Sequence, residues 1–269
     1  MPVTPPTAYT HGHADSVLRS HRWRTADNSC AYLLPHLRAG TSLLDVGSGP
    51  ATITADLGRV IAPGALTALE MNDEAAALSR AELDRQGVAA TVLTGDAHDI
   101  DLPDDAVDAS HAHQVLQHVA DPVQVLREMA RVTRPGGVIG VRDSDYTAFT
   151  WWPRVPALDE WLRLYLLAAR ANGGEPDAGR RLLSWAHAAG LHDLEAGSST
   201  WCFATPDDRA WWGGMWADRI LDSALARQLL EDGHTDHAGL QRISDGWREW
   251  AAHPDGWFSI LHGELVIRV

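Results

Sequence analysis

The segment from residue 43 to residue 61 constrains the fold of this chain more than any other part of it. Residues 43–49 read as a short apolar strand with Asp45 at its carboxyl end, followed by a turn containing Gly47 and Gly49. An amphipathic helix follows directly. Such a unit predicts a nucleotide-binding element, because the turn brings backbone N–H groups and the positive end of a helix up to a bound polar group. The carboxylate favours a cationic ligand over a pyrophosphate.

Polar residues also end the next three predicted strands. Glu70 ends the second strand, 21 residues after Gly49, and a carboxylate about 20 residues past such a turn hydrogen-bonds a ribose diol in nucleotide-binding units. Asp96 follows the third strand, and Gln114 follows the fourth, over residues 107–113. Ligands of open α/β sheets bind outside the carboxyl ends of the strands, so we expect these residues to meet in one crevice.

These motifs occur in the order and spacing of a known family. Over roughly residues 41–145 the chain resembles class I S-adenosylmethionine-dependent methyltransferases, and among them the UbiE type of small-molecule methyltransferases. It departs from their pattern at Ser48, where Cys is common, and at Pro50 and Ala51, where a third glycine is common; Pro50 stiffens the turn and removes one N–H. The matching residues are Leu43 to Gly49 with Thr52, Glu70 and Met71, Gly95 to Ala97, Leu102 to Asp104, Leu116 to Val119 with Asp121 and Pro122, and Arg134 to Gly137.

The resemblance implies an α/β, Rossmann-like class I methyltransferase fold: a mostly parallel seven-stranded sheet with helices on both faces. Helical patterns add a Trp-rich cap. We expect a helical lid over residues 1–40, including one helix from Asp15 to Leu37, and a cofactor-binding core over residues 41–145. Residues 146–269 would supply the closing strands, with substrate-cap insertions at about 146–177 and 205–256.

The resemblance also implies S-adenosylmethionine as the cofactor. Asp45 would face its methionyl ammonium group, the backbone of Gly47, Ser48 and Gly49 would pass under the molecule, and Glu70 would hold the ribose hydroxyls. The alternative for the acidic residues is ordinary capping of the turns that follow them.

Further residues are expected to complete the cofactor site. Met71 would lie against the adenine ring, and Asp96 would accept a hydrogen bond from its amine, with Ala97 adjacent. The carbonyl of His113 and the side chain of Gln114 are additional candidates.

The amino-terminal segment resembles a lid. Arg24 could pair with the cofactor carboxylate and Tyr9 could close over it, the alternative for Arg24 being a solvated helix face. Histidine pairs such as His11 with His13 lack a third clustered ligand, so we expect no metal site.

Methyl transfer from a sulfonium is an in-line displacement, so the enzyme mainly aligns donor and acceptor and excludes water. A base is required only if the acceptor loses a proton. His118 is the first candidate, because it follows the fourth strand on the crevice side, and Tyr146 is the second. The alternative is that His118 bonds a neighbouring backbone group.

Aromatic residues divide the chain sharply. No Phe, Tyr or Trp lies between residues 41 and 145, whereas eleven of the twelve Trp lie between residues 151 and 257. We predict that an apolar acceptor pocket forms where the cap folds over the strand ends; the alternative is that these residues are the core of the cap. The Trp residues predicted to line the pocket are Trp151, Trp152, Trp211, Trp212 and Trp216.

Composition excludes several other classes of protein. All 22 basic residues are Arg, against 36 acidic residues, and no basic stripe is present, so nucleic acid is not an expected partner. Cys30 and Cys202 are too few for a disulfide framework. No secretory signal and no membrane span appear, which predicts a cytoplasmic enzyme.

The sequence therefore predicts methyl transfer to a small, largely apolar metabolite, such as an aromatic or polyketide-like compound. One alternative is an enzyme that binds the same cofactor without methylating, such as a cyclase. A nicotinamide-dependent dehydrogenase is disfavoured by Asp45 and by the missing third glycine. A binding module without turnover is the non-enzymatic alternative. The acceptor atom and the oligomeric state stay open.

Overall fold

A computed structural model describes residues 20–269, and within them the chain forms one eight-stranded sheet and nine complete α-helices. The strands are β1 (Leu43–Val46), β2 (Leu66–Glu70), β3 (Thr91–Thr94), β4 (Val107–His113), β5 (Thr133–Ser144), β6 (Thr150–Trp152), β7 (Leu194–Phe203) and β8 (Trp257–Arg268). The helices are α1 (Ala26–Ser29), α2 (Thr52–Ile61), α3 (Asp73–Gln86), α4 (Pro122–Val132), α5 (Pro156–Ala171), α6 (Leu182–Ala188), α7 (Pro206–Arg219), α8 (Ala224–Glu231) and α9 (His237–Ala252).

The sheet is mostly parallel, as predicted. Its order is β3-β2-β1-β4-β5-β8-β6, and β7 pairs with β8 as well. Strands β1 to β5 run parallel, while β8 runs antiparallel to its three partners. The carboxyl ends of β1, β2 and β4 therefore meet at one edge, since parallel strands all end on the same side. The three-residue strand β6 is an addition to the seven strands predicted.

Helices cover both faces of the sheet, because successive strand residues point to opposite sides. Leu43 packs with α2, α3 and the amino-terminal segment. Its neighbour Leu44 packs with α4 and α6 on the other face. Both residues are fully buried.

The cap has a core of its own, built from aromatic residues of the chain beyond residue 145. Trp161 on α5 and Trp247 on α9 are fully buried, and their ring centroids lie 4.9 Å apart in an edge-to-face arrangement. Phe258 of β8 packs against the same cluster. The cap helices are thus attached to the sheet through its last strand.

The helix predicted from Asp15 to Leu37 is wrong in its described part. Residues 20–22 are helical, and the chain then restarts as α1 and as a 3₁₀ turn, Leu34–His36. Thr25 caps α1 in a reciprocal capping box with Asn28, which begins a new helix instead of continuing one. Pro35 removes a further helical N–H. Among residues 20–269, no helix is long and apolar enough to cross a membrane.

Candidate active site

The strand ends and the cap enclose a cavity of about 690 Å³, which is within the range of small-molecule sites. Two kinds of wall line it. We call the first the strand-end wall; it comprises Asp45 to Gly49, Glu70, Met71 and Gly95 to His98. We call the second the aromatic wall; it comprises Tyr146, Phe149, Trp201, Trp212, Trp216 and Ile260.

The turn after β1 requires glycine, because its backbone angles and, at Gly47, its close surroundings disfavour a side chain. Gly47 and Gly49 have φ of +67° and +56°, in the left-handed region that only glycine adopts readily. A Cβ at Gly47 would lie 2.5 Å from a valine side chain. Ala51, at the position of the missing third glycine, also has a positive φ of 58°. The hydroxyl of Ser48 lies 3.0 Å from that of Ser79, which links the turn to α3.

Glu70 lies in the strand-end wall with its carboxylate partly engaged. One oxygen accepts the N–H of Gly49, and the other accepts the N–H of Met71 at 3.3 Å. The side chain of Ser48 also hydrogen-bonds this carboxylate, and a carboxylate has about four acceptor sites, so capacity remains for a ribose hydroxyl. Burial raises the pKa of Glu70, although the two backbone N–H groups oppose that rise. The residue fits the cofactor role implied by the sequence.

Asp45 is buried at the end of β1, and protein groups already contact both of its oxygens. The Thr54 hydroxyl donates to one oxygen at 2.5 Å, and Nδ1 of His111 lies 2.7 Å from the other. Burial lowers the pKa of His111, but Cys30 and Asp45 raise it to about 10 overall. The charge of Asp45 is therefore shared with His111, a contact that sequence reasoning missed although β1 and β4 are neighbours.

Asp96 lies at the mouth of the strand-end wall and is oriented by His98. Its Oδ1 accepts the N–H of His98 at 2.9 Å and lies 2.6 Å from the Nδ1 atom of the same ring. Partial burial raises the pKa of Asp96, but these hydrogen bonds lower it overall. Ala97 and Met71 lie in the same wall. The histidine two positions beyond Asp96 was not predicted to take part.

Arg24 and Gln114 meet in the cavity, although they are 90 residues apart. Nη2 of Arg24 donates to Oε1 of Gln114 at 2.7 Å, and the guanidinium carbon lies 5.5 Å from the ring centroid of Trp201. The amide nitrogen of Gln114 lies 2.9 Å from Nε2 of His262. Gln114 has a φ of 55°, uncommon for a residue other than glycine. Tyr9 lies outside the described residues.

Both predicted catalytic residues line the cavity. Nε2 of His118 lies 2.9 Å from the amide nitrogen of Gln117, whose Oε1 accepts the hydroxyl of Ser144 at 2.5 Å. Burial lowers the pKa of His118 to about 4, so its imidazole is neutral at pH 7. Tyr146 stacks on Tyr165 with ring centroids 4.0 Å apart, and burial raises its pKa, so its hydroxyl stays protonated.

His113 is a polar group that sequence reasoning considered only for its carbonyl. Its ring is 6% exposed and lies in the cavity lining. Neither ring nitrogen has a hydrogen-bond partner within the part of the chain that the structure describes. The ring centroid lies 5.7 Å from that of Trp201. Burial and then the charges of Arg142 and Arg24 hold the pKa of His113 well below its ordinary value.

The tryptophans divide between cavity and core. Trp212 and Trp216, one helical turn apart on α7, line the cavity as predicted. Trp23 and Trp201 also line it and were not predicted, because neither belongs to the cluster on α7. The pocket prediction is wrong for the other three tryptophans. Trp151 is buried in the cap core, and Trp152 is 60% exposed to solvent. Trp211 packs against the cap core and does not line the cavity.

Metal-binding geometry is not found among residues 20–269, where no three His, Cys, Asp or Glu residues are grouped to hold an ion. Cys30 is buried and Cys202 is exposed, and both are free thiols.

Comparisons with known proteins agree with this geometry. Residues 44–141 match a family model described as a methyltransferase domain. An uncharacterized methyltransferase of Schizosaccharomyces pombe is 29% identical over 275 residues, covering 97% of this chain and 96% of that protein. The ubiquinone/menaquinone biosynthesis C-methyltransferase UbiE of Bdellovibrio bacteriovorus is 29% identical over 104 residues, covering 39% of this chain and 44% of that protein.

A solved structure shares the fold. The YcgJ protein of Bacillus subtilis superposes with a TM-score of 0.57 at 18% identity, covering 88% of this chain and 97% of that one. The protein is an S-adenosylmethionine-dependent methyltransferase with a Rossmann-like α/β fold, and S-adenosylmethionine is its cofactor.

Proposed function

We propose that this enzyme methylates a small, largely apolar metabolite, such as a planar aromatic or polyketide-like compound, that lies against the aromatic wall. One observation carries this proposal: the strand-end wall and the aromatic wall enclose the same cavity. A cofactor on the first wall and an acceptor on the second would be in direct contact. The proposal includes the UbiE type of methyltransferase, supported by the motifs over residues 41–145.

The strand-end wall supplies groups for each part of the cofactor. Glu70 would hold the ribose, Asp96 the adenine amine, and the turn from Gly47 to Gly49 would support the molecule from below. Asp45 and Arg24 would face the ammonium and carboxylate of its methionyl end. The bound cofactor supplies an electrophilic methyl group on a sulfonium.

The aromatic wall determines the kind of acceptor. Trp212 and Phe149 present large apolar surfaces, and Trp201 closes the space beside His113. Such walls exclude water and hold flat molecules by ring contacts. In this proposal residues 146–177 and 205–256 form the substrate cap and residues 1–40 the lid. The net charge of −14 opposes a nucleic-acid substrate.

Substitution of Glu70 by Gln tests the cofactor assignment. The amide presents one acceptor oxygen in place of a charged carboxylate, so a ribose hydroxyl loses a hydrogen bond to a charged group. We expect S-adenosylhomocysteine affinity, measured by titration calorimetry, to fall by about 1.5–3 kcal/mol. Glu160→Gln, which breaks a surface pair with Arg163, is the matched control and should bind normally. Unchanged affinity in Glu70→Gln would disprove the assignment.

Turnover separates the proposal from its alternatives. A methyltransferase incubated with S-adenosylmethionine and a panel of planar hydroxyaromatic compounds should release S-adenosylhomocysteine. A cyclase would bind the cofactor without releasing that product, and a dehydrogenase would bind NAD in the same calorimeter. Release of S-adenosylhomocysteine that depends on an added compound supports the proposal, and NAD binding in its place would refute it.

A further inference from the structure

We propose that the imidazole of His113 binds the hydroxyl group of the methyl acceptor and takes up its proton, which makes a hydroxyl oxygen the atom that is methylated. The proposal rests on the proposed function and deepens it by naming the acceptor chemistry. It assigns a catalytic role to a side chain that lies between the two walls.

His113 lies between the cofactor side and the acceptor side of the cavity. It is the last residue of β4, and its chain neighbour Gln114 contacts Arg24 in the part of the cavity expected to hold the cofactor. Its ring lies against Trp201 of the aromatic wall. A group bound to this ring would therefore lie where the methyl donor and the acceptor skeleton meet.

The ring nitrogens of His113 are unsatisfied among residues 20–269. Buried polar side chains are almost always hydrogen-bonded, and each exception requires an explanation. Both nitrogens of His113 are buried, and neither has a partner among residues 20–269. A neutral imidazole has one N–H donor and one acceptor nitrogen. A bound hydroxyl would satisfy the acceptor nitrogen directly.

The surrounding charges select a hydroxyl over an amine. Arg142 lies beside His113 on β5 and is paired with Glu264 of β8 at 2.9 Å. An alkyl amine is protonated in water at neutral pH and becomes cationic again on methylation, so the guanidinium groups would disfavour it, whereas they would not disfavour a neutral or acidic hydroxyl. The groups whose charges act on the His113 ring are Arg142, Arg24, His262 and His111, and burial adds to their effect in disfavouring the imidazolium.

The acceptor hydroxyl, the methyl donor and His113 account for every bond and proton in the transfer. The acceptor O–H donates to the free nitrogen of His113, and the oxygen attacks the methyl carbon. An O–C bond forms, the S–C bond breaks, and its electron pair stays on sulfur. The hydroxyl proton passes to the imidazole. The products are a methyl ether, S-adenosylhomocysteine and an imidazolium that gives its proton to water after product release, which its low pKa favours.

His118 is less suited to this role. One of its ring nitrogens already lies 2.9 Å from the amide of Gln117, which is tied to Ser144. The His118 ring is therefore held by a hydrogen-bonding side chain, whereas neither nitrogen of the His113 ring has such a partner among residues 20–269.

A pair of probe ligands tests the proposal without knowledge of the natural substrate. 4-Nitrophenol has a hydroxyl donor, and 4-nitroanisole is the same ring with that donor methylated. Binding of each to the S-adenosylhomocysteine complex is measured by quenching of Trp fluorescence, at a pH below the pKa of the phenol. We expect the wild type to bind the phenol about tenfold more tightly, the scale of one buried hydrogen bond.

Single substitutions show which side chain causes the tighter binding of the phenol. His113→Phe should bind both probes equally, and His113→Gln, which keeps a hydrogen-bonding group, should retain part of the preference. His187→Phe, at an exposed position on α6, is the matched control. The preference is the ratio of the two probe affinities within one variant, so a change in S-adenosylhomocysteine affinity alone does not alter it.

The proposal would be overturned by equal binding of the probes by the wild type, by a preference that survives in His113→Phe, or by a preference lost only in His118→Gln. Binding of S-adenosylhomocysteine without binding of the phenol would also overturn it while leaving the cofactor assignment intact. A wild type that does not bind S-adenosylhomocysteine would refute the proposed function itself.

Discussion

Asp143 is a buried carboxyl whose ionisation should weaken the fold at neutral pH. It lies on β5 and is fully buried. Its Oδ1 accepts the N–H of Gln117 at 3.0 Å, at the 3₁₀ turn that carries His118, and its Oδ2 has no hydrogen-bond partner in the described part of the chain. Burial raises the pKa of Asp143 from 3.8 to about 7, against the opposing effects of the backbone N–H groups and of Arg142.

The direction in which stability changes with pH depends on whether the folded or the unfolded state holds the proton of Asp143 more tightly. The folded pKa lies above the unfolded value, so this stabilisation is complete below about pH 4 and is lost as the pH rises through about 7. A rise from 3.8 to about 7 is about three units, or about 4 kcal/mol. Asp143→Asn cannot ionise and keeps an oxygen for Gln117. Its free energy of unfolding should exceed that of the wild type by about 2 kcal/mol at pH 5 and by about 4 kcal/mol at pH 8.

Urea denaturation at pH 5 and pH 8, followed by Trp fluorescence, measures this difference. Asp193→Asn is the matched control: that carboxylate is 72% exposed and lies 3.5 Å from Arg268, so its substitution should change the free energy of unfolding little at either pH. If Asp143→Asn is no more stable than the wild type at pH 8, ionisation of the buried Asp143 carboxyl does not destabilise the folded protein, and the reasoning from burial is refuted.

Three other substitutions have distinct expected results. Asp96→Ala should bind S-adenosylmethionine and its inosine analogue equally, whereas the wild type should prefer the adenine form by about tenfold in titration calorimetry; equal binding by the wild type would contradict the role of Asp96. His118→Gln should leave the pH profile of turnover unchanged between pH 6 and 9, because a pKa of about 4 keeps His118 neutral throughout; a lost inflection in that range would count against this. Trp161→Phe should lower stability to urea by about 1–3 kcal/mol without altering 4-nitroanisole binding, while Trp212→Phe should weaken that binding; the reverse pattern would move the pocket away from α7.

Local signals were sufficient for much of the scaffold. Asn72 caps α3, and Gly87 ends it with a φ of +66°; both residue types mark helix bounds in the sequence itself. Pro122 occupies the first position of α4, where a missing N–H leaves no helical hydrogen bond unmade. These features act within a few residues of the backbone that they shape, so they are visible in the chain order alone. The same holds for the turn at Gly47 and Gly49.

Longer-range contacts were not predictable in this way. The pattern from Asp15 to Leu37 predicts one helix, but Thr25 begins a separate one, and the segment packs on the sheet through Cys30 and Leu33. The spacing of apolar residues shows which residues become buried. It does not show where the chain must turn so that they pack against the sheet. For the same reason, adjacent tryptophans on α7 divided between cavity and core.

The sequence by itself determined the parallel core and the convergence of Asp45, Glu70 and Asp96 at its edge, because strand order and crossover direction follow from local patterns and short connections. The tertiary structure alone decided what faces these residues. His111 shares the charge of Asp45, and His98 orients Asp96. The ring of His113 lies beside a tryptophan from β7, and neither of its nitrogens has a hydrogen-bond partner among residues 20–269. These outcomes depend on register between strands and on how the cap folds over the sheet, and no local interaction along the chain specifies either.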